Sequence, residues 1–263
     1  MVKTAIVMGG SRGLGRSIAR RLAEDRFAIV VHFSTHTHDA NETVIEIKEL
    51  GGQAIAVQAD ITQEADVKRL FEAALMEFGR IDVVVNNVGI LAQSPIARGD
   101  AETFDQIIRT NLRATFLVFA QAASHIADGG RIIAFTSNLV GISSPFYGAY
   151  VASKAGVEGL ARVLANELRK REVSVNLVAF GPIATEHLLQ RTSLVASEAM
   201  GETNDAVHVV SYLAGPEAGW ISGQVIPAVE GPGGRASIVR PGAGPVTLPA
   251  DLLVADASPF RAY

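Results

Sequence analysis

The chain has 263 residues, of which 48% are hydrophobic and 19% are charged, and its formal net charge is −4. This size and composition suit one α/β domain with a large core, and the acidic balance argues against a general nucleic-acid binder. The absence of cysteine excludes disulfides, thiolate nucleophiles and cysteine metal sites. The first strand begins close to Met1, and no apolar run approaches the ~18 residues of a membrane span. We therefore expect no signal peptide, no membrane segment and a cytoplasmic location.

Apolar strands and amphipathic helices alternate along the chain. The predicted strands are residues 3–8, 28–33, 54–58, 83–85, 131–135, 174–178 and 224–227. The predicted helices are residues 41–50, 64–78, 104–119, 150–171 and 205–213, with a further helix that contains Leu14, Ile18 and Leu22. This alternation predicts an α/β fold with a Rossmann-type, doubly wound parallel sheet of about seven strands, flanked by helices on both faces. Ligands bind such sheets in the crevice beyond the carboxyl ends of the strands.

A glycine-rich turn joins the first strand to the first helix. Its spacing is Gly9-x-x-x-Gly13-x-Gly15, which differs from the Gly-x-Gly-x-x-Gly pattern of the larger dinucleotide-binding domains. A strand, a glycine turn and a helix in this order present backbone N–H groups and a helix N-terminus to a pyrophosphate. The turn is therefore a candidate nucleotide-binding element.

Tyr150 and Lys154 form the candidate catalytic pair. They stand four residues apart on a predicted helix, so their side chains share one face, and Ser137 lies thirteen residues upstream. A phenol titrates near pH ~10, and a neighbouring ammonium favours its ionised form. This arrangement predicts that Tyr150 donates and accepts a proton at neutral pH.

These motifs, in this order, resemble those of the short-chain dehydrogenase/reductase family over residues 1 to about 234. The matching positions are Gly9, Gly13 and Gly15, the run Asn86-Asn87-Val88-Gly89, Asn111, Ser137, Tyr150 and Lys154, and Asn176 followed by Phe180-Gly181-Pro182. Within the family, the chain looks most like bacterial NADP-dependent reductases related to 3-oxoacyl-carrier-protein reductase.

The resemblance implies a single NADP(H)-binding catalytic domain, residues 1–234, and a role for each motif residue. Tyr150 would exchange a proton with the substrate, Lys154 would lower the pKa of Tyr150 and bind the nicotinamide ribose, Ser137 would bind the carbonyl oxygen, and Asn111 would help to hold a relay water. The implied cofactor-binding residues are Gly9, Ser11, Arg12, Gly13, Leu14, Gly15, Ser34, Asp60, Ile61, Asn87, Gly89, Tyr150, Lys154, Gly181, Ile183 and Thr185. No metal is implied. Asn138 remains an alternative to Ser137, because counting back from Gly141 selects it.

The end of the second strand predicts a preference for NADP(H) over NAD(H). NAD-preferring sites place an acid there to bind the ribose 2′-hydroxyl. Here the segment reads Phe33-Ser34-Thr35-His36, with no acid before Asp39. Arg12 can instead bind a 2′-phosphate as a charge-assisted donor, and Ser34 can add a hydrogen bond.

Other features are interpreted more simply, or as departures from the family pattern. His36 and His38 lack carboxylate or thiolate partners and are interpreted as solvated surface, while Trp220 and Tyr212 are interpreted as packing residues. Residues 183–200 are shorter than the substrate-covering segment of relatives. Residues 235–263 form an extension, and five of the chain's ten prolines fall between positions 232 and 259, which favours an extended arm or tail.

The expected activity is the interconversion of a small carbonyl compound and its alcohol with NADP(H), without nucleic-acid or membrane partners. The family pattern implies a homotetramer or homodimer built through the long helices, for which Val157, Leu160, Ala161 and Leu164 offer an apolar stripe that also partly faces the sheet. Two alternatives stay open at this point. The chain could be a catalytically inactive dinucleotide-binding regulator of the same fold, or an NAD-linked sugar or steroid dehydrogenase.

Overall fold

The computed structural model of the protein describes residues 2–142, 145–180, 203–228, 230–231, 235–236 and 261–262. The strands in these ranges are β1 (Thr4–Met8), β2 (Ala28–Phe33), β3 (Ala54–Gln58), β4 (Val83–Asn86), β5 (Ile90–Leu91), β6 (Arg131–Ser137), β7 (Ser174–Phe180), β8 (Val225–Pro227), β9 (Glu230–Gly231), β10 (Arg235–Ala236) and β11 (Arg261–Ala262). The helices are α1 (Gly13–Glu24), α2 (Thr37–Glu49), α3 (Glu64–Phe78), α4 (Ala101–Ile107), α5 (Ala114–His125), α6 (Leu139–Ile142), α7 (Gly148–Glu167) and α8 (Thr203–Ala214).

One parallel sheet of seven strands organises the described residues, in the order β3-β2-β1-β4-β6-β7-β8. The chain moves outward from β1 to β3 and then returns to the other side of β1 as β4. Met8 pairs with Asn86, and Asn86 pairs with Ala134, so the ends of β1, β4 and β6 lie side by side. The predicted doubly wound α/β fold is confirmed, and its switch point lies between β1 and β4.

The central strands are buried because helices cover both faces of the sheet. Ala5 and Val7 belong to the core on one face, while Ile6 and Met8 belong to the core on the other. This alternation follows from the two-residue period of a strand, and burial on both faces explains why β1 reads as a continuous apolar run. In the described part of the chain, no helix combines the length and the apolar character needed to cross a bilayer.

The predicted continuous helix over residues 104–119 is wrong in two respects. The helix begins earlier, at Ala101, because the Asp100 carboxylate caps it by accepting a hydrogen bond from the Thr103 N–H at 3.1 Å. A π-helical segment, Ile108–Arg113, then separates α4 from α5. Such segments are rare and occur frequently at functional sites. Asn111 lies within this one.

The apolar stripe on α7 mainly faces the core. Val157, Ala161 and Leu164 are buried with residues of the sheet, and Leu160 packs against the same core. Their helical spacing marks the face that covers the sheet, so an interface through α7 would use its outer face. Trp220 and Tyr212 were expected to pack, and this is also wrong, because they are 82% and 48% exposed.

The buried side chain of His32, in β2, joins the residues that follow β1 and β3. Its Nδ1 accepts a hydrogen bond from the Gly9 N–H at 3.0 Å, so the ring proton sits on Nε2, which lies 3.0 Å from the carbonyl oxygen of Ala59. A second ring proton would face the Gly9 N–H and break the first bond. Burial lowers the pKa of His32 to about 4. The neutral ring therefore stabilises the glycine turn.

The protein should lose stability in acid through His32. Its pKa is lower in the folded state than the usual ~6.5, so the unfolded chain binds more protons between these values and stability falls as the pH drops through them. We expect a loss of about 2 kcal/mol in the free energy of unfolding between pH 7 and pH 5 from this residue alone. Urea denaturation at both pH values measures the loss.

His32→Asn should flatten this pH dependence, whereas His38→Ala, which removes an exposed histidine, should keep it. An unchanged pH dependence in His32→Asn would contradict the assignment.

Candidate functional site

The glycine turn after β1 has a backbone that side chains would obstruct. Gly9 and Gly13 have positive φ angles of 70° and 53°, a region that favours glycine. A Cβ atom on Gly15 would lie only 1.9 Å from the Gly9 carbonyl oxygen. Glycine at position 15 therefore lets the first turn of α1 pack directly against the end of β1.

The first turn of α1 is open to an anion. The N–H groups at the start of a helix have no intrahelical partner, and here Arg12 makes no side-chain cap. The first turn also contains no acidic residue, and Leu14 is buried beneath it. Together with the helix dipole, these groups suit a phosphate at the carboxyl edge of the sheet.

Arg12 reaches the end of β2 from the glycine turn. Its Nη1 lies 3.1 Å from Nε2 of His36, whose Nδ1 lies 3.0 Å from the Thr35 hydroxyl. Ser34 is exposed in the same loop, and its carbonyl oxygen accepts a hydrogen bond from Gln58 at 2.8 Å. The structure thus brings Arg12 and Ser34 to one loop, as the sequence predicts. His36 is exposed, as the interpretation as solvated surface expects, and it also contacts Arg12.

The two asparagines after β4 point to different partners. Asn87 is buried, and its Nδ2 atom would lie 2.9 Å from a Cβ on Gly15, which places it against the glycine turn. Asn86 instead donates to the Thr115 hydroxyl at 2.9 Å, and Thr115 donates to the Asn111 carbonyl oxygen at 2.6 Å. Asn87 therefore borders the crevice, while Asn86 ties the strand end to the helix behind it.

The remaining predicted nucleotide contacts fall into three groups. Ser11 is buried in the glycine turn, and Gly89 is buried just before β5. Asp60 is exposed after β3, where its carboxylate accepts hydrogen bonds from the Thr62 N–H and hydroxyl, and Ile61 beside it is buried in the core. Gly181, Ile183 and Thr185 lie outside the described residues.

Asn111 fastens the π-helical segment to the loop after β4. Its Oδ1 accepts from the Ile90 N–H at 2.8 Å, and its Nδ2 donates to the Ile90 carbonyl oxygen at 2.9 Å. The same Nδ2 lies 3.1 Å from the Ser153 hydroxyl, which donates to the Tyr150 carbonyl oxygen at 2.7 Å. Asn111 thereby links β5 to the turn of α7 that carries Tyr150. The sequence analysis missed Ser153, although it lies beside Lys154.

Lys154 is buried beside Tyr150. Its Nζ donates to the Phe135 carbonyl oxygen at 3.0 Å and lies 5.8 Å from the centre of the Tyr150 ring. Burial lowers the pKa of Lys154 to about 8. An ammonium is costly to bury, and a group in this state is typical of functional sites.

Ser137 ends β6, two residues beyond the carbonyl group that holds Lys154. It is buried, and its hydroxyl oxygen accepts a hydrogen bond from the Leu139 N–H at 3.2 Å. The neighbouring Asn138 donates its backbone N–H to Phe180 at 2.9 Å. Residues i and i+2 of a strand share a face, so the hydroxyl of Ser137 leaves the sheet on the same side as the side chain of Phe135.

Two further segments lie beside the site. The side chain of Gln93, after β5, donates to the hydroxyl of Tyr147, and the Ser94 N–H donates to the Phe146 carbonyl oxygen at 2.8 Å. Strand β11 pairs antiparallel with β5, with Arg261 opposite Leu91. The C-terminal end of the chain therefore borders the segment that Asn111 holds.

Fold and site together define a Rossmann-type α/β protein whose crevice joins a glycine turn to a buried tyrosine–lysine pair. The short chain dehydrogenase family model matches residues 3–194. A short-chain type dehydrogenase/reductase of Picea abies is 37% identical over 243 residues, covering 85% of this chain and 90% of the relative. The protein belongs to the short-chain dehydrogenase/reductase family of oxidoreductases.

The names of two further similar proteins mention a nicotinamide cofactor. The NADPH-dependent aldehyde reductase-like protein, chloroplastic, of Arabidopsis thaliana is 37% identical over 248 residues, covering 86% of this chain and 92% of the relative. The structure of a short chain dehydrogenase from Burkholderia cenocepacia J2315 in complex with NADP superposes with a TM-score of 0.77 at 31% identity. That comparison covers 86% of this chain and 95% of the other.

Gly15→Ala should destabilise the protein, because its methyl group collides with backbone that cannot move aside independently of β1. Overpacking typically costs ~1–3 kcal/mol, and we expect the upper end of this range here. Gly159→Ala on α7 is the matched control, since no atom lies within 4 Å of its added Cβ and alanine favours a helix. Urea denaturation of both variants checks the difference, and equal stability would contradict the proposed close packing.

Proposed function

We propose that the protein is an NADP(H)-dependent oxidoreductase that interconverts a carbonyl compound and a primary or secondary alcohol. The observation that carries this proposal is the buried ammonium of Lys154, 5.8 Å from the centre of the Tyr150 ring. A cation in this position favours the phenolate form of a tyrosine. If Tyr150 and Lys154 only stabilised the fold, the phenol would not need an ammonium close enough to favour its ionised form.

The crevice fits a dinucleotide. The open first turn of α1 and the absence of a Cβ on Gly15 leave backbone N–H groups available to a pyrophosphate. Arg12 provides guanidinium donors for a ribose 2′-phosphate, His36 accepts a hydrogen bond from Arg12 and so helps to position it, and the loop after β2 contains no acid before Asp39. The names of the Arabidopsis and Burkholderia relatives agree with this choice of cofactor.

Each residue of the site has a separate role in the proposed reaction. NADP(H), when bound, supplies or accepts the hydride at the reacting carbon. In the reducing direction, Tyr150 gives its phenolic proton to the substrate oxygen, and the charge of Lys154 stabilises the phenolate that remains. Ser137 accepts from Leu139 and so keeps its own hydroxyl proton to donate to the substrate oxygen. Oxidation of the alcohol returns the proton to Tyr150.

Asn111 and Ser153 act on this pair by positioning it. Asn111 holds Ser153 at 3.1 Å, and Ser153 donates to the Tyr150 carbonyl oxygen at 2.7 Å. Lys154 keeps its charge below its pKa of about 8 and loses it as the pH rises through that value. The phenolate is therefore best stabilised near and below neutral pH.

Tyr150→Phe should abolish turnover and leave NADPH binding largely intact, because it removes the proton donor and keeps the ring. Loss of general acid catalysis typically costs ~10²–10⁴-fold in rate. Oxidation of NADPH with a panel of ketones and aldehydes, followed by absorbance, measures kcat. Tyr212→Phe is the control, since this tyrosine is 48% exposed on α8. If the Tyr150 variant kept a tenth of the wild-type kcat, the assigned role would be wrong.

NADPH should be preferred over NADH, and Arg12→Ala should reduce the preference about tenfold or more by removing a charge-assisted contact with the 2′-phosphate. His36→Ala should reduce it less. The ratio of kcat/KM for the two cofactors measures both effects. Arg20→Ala, an exposed change on α1, should leave the ratio unaltered. Equal kcat/KM for NADPH and NADH in the wild type would refute the cofactor assignment.

We also propose that the protein forms a symmetric dimer or tetramer through the outer faces of α5 and α7. Each helix exposes a large apolar side chain there, with Phe116 54% and Val163 57% accessible. Phe116→Glu should lower the oligomeric state measured by light scattering at micromolar concentration. Met76→Glu, an equally drastic change at an exposed position on α3, should not. A wild-type monomer would contradict the proposal.

A further inference from the structure

A second cavity lies at the amino edge of the sheet, opposite the crevice. Its volume is about 760 Å³, and its walls include the start of β6, the last turns of α7 and the segment before β8. Asn166 on α7 lines it, sixteen residues after Tyr150, which corresponds to roughly 24 Å along a helix. The cavity is therefore separate from the catalytic site.

Arg131 is the buried charge of this cavity. The residue is 9% exposed, and its side chain donates to the carbonyl oxygens of Gly129, at 2.6 Å, Gly130, at 3.0 Å, and Gly215, at 3.4 Å. A Cβ on Gly219 would lie 2.9 Å from Nη2, so glycine at that position leaves room for the guanidinium. Within the described residues, no carboxylate forms an ion pair with Arg131.

One nitrogen of the Arg131 guanidinium, Nη2, makes no hydrogen bond within the described residues. All three hydrogen bonds leave from Nε and Nη1, and Nη2 bonds to no atom of the described part of the chain. A guanidinium carries five N–H donors and stays charged, so two donors remain for another partner. Arg131 lines the cavity, which makes the cavity the place where that partner would bind.

The walls add positive charge and a flat apolar surface. Arg162 and Arg169 line the cavity with Arg131, whereas Glu172 is the single acidic wall residue in the described part of the chain. Arg162 is bound to Glu158 at 3.0 Å, while Arg169 forms no ion pair within the described residues. Trp220, 82% exposed, also lines the cavity. Such large exposed aromatic surfaces frequently mark binding sites.

We propose that this cavity binds a small aromatic oxyanion, either a carboxylate or a phosphate ester. The oxygens would bind the N–H groups of Nη2 of Arg131 and the guanidinium of Arg169, since charge-assisted hydrogen bonds from guanidinium groups suit oxyanions. The ring of the ligand would stack on the indole of Trp220. An anion without a ring would gain only the first of these contacts and bind more weakly.

Trp220 makes the proposal directly measurable, because it is the chain's only tryptophan. Benzoate and phenyl phosphate are titrated into the full chain while tryptophan emission is recorded, with cyclohexanecarboxylate and inorganic phosphate as partners that lack the aromatic ring. We expect a saturable change in tryptophan emission with benzoate or phenyl phosphate. The matched compound without an aromatic ring should bind more weakly. Which of the two binds better identifies the oxyanion.

Arg169→Ala and Lys170→Ala are a matched pair of variants. They remove one positive charge each from the same exposed turn, but only Arg169 lines the cavity. Arg169→Ala should weaken binding about tenfold, and Lys170→Ala should leave it unchanged. Equal affinities for the two variants, or the absence of saturable binding to the wild type, would overturn the proposal. The readout requires no turnover, so it fails or succeeds independently of the proposed oxidoreductase activity.

Discussion

The burial of one ammonium group constrains how β6 and α7 pack beside the tyrosine–lysine pair. Lys154 can keep its charge inside the protein only if a polar group receives it, and the Phe135 carbonyl oxygen does so at 3.0 Å. This contact joins the end of β6 to α7. It therefore fixes the turn of α7 that carries Tyr150, one helical turn before Lys154, against the strand that ends at Ser137.

A network of amide and hydroxyl groups supports that arrangement from behind. Asn111 binds both backbone groups of Ile90 and reaches Ser153, which in turn binds the Tyr150 carbonyl oxygen. The π-helical segment shifts the register of the helix around Asn111. A regular α-helix would keep its usual side-chain spacing there. On the nucleotide side, His32 plays a comparable part by joining the glycine turn to the end of β3.

Most of the fold could be predicted from the sequence because strand and helix periods are local properties. Strands β2 and β3 and helix α3 begin and end at the predicted residues. The π-helical segment could not be predicted, since its stabilising contacts come from Ile90 and Ser153, distant in sequence. The same holds for the contact of His36 with Arg12. The exposure of Trp220 could not be predicted, because the sequence around a single aromatic residue does not show whether its side chain faces the core or the solvent.

The pairing of β11 with β5 has a practical consequence for handling the protein. Arg261 and Ala262 pair with Leu91 and Ile90, so a purification tag attached close behind Ala262 would start beside the segment that Asn111 holds. Val2 and Lys3 instead lead into β1 at the amino edge of the sheet. A tag placed there, with a removable linker, would leave the crevice and its border unobstructed.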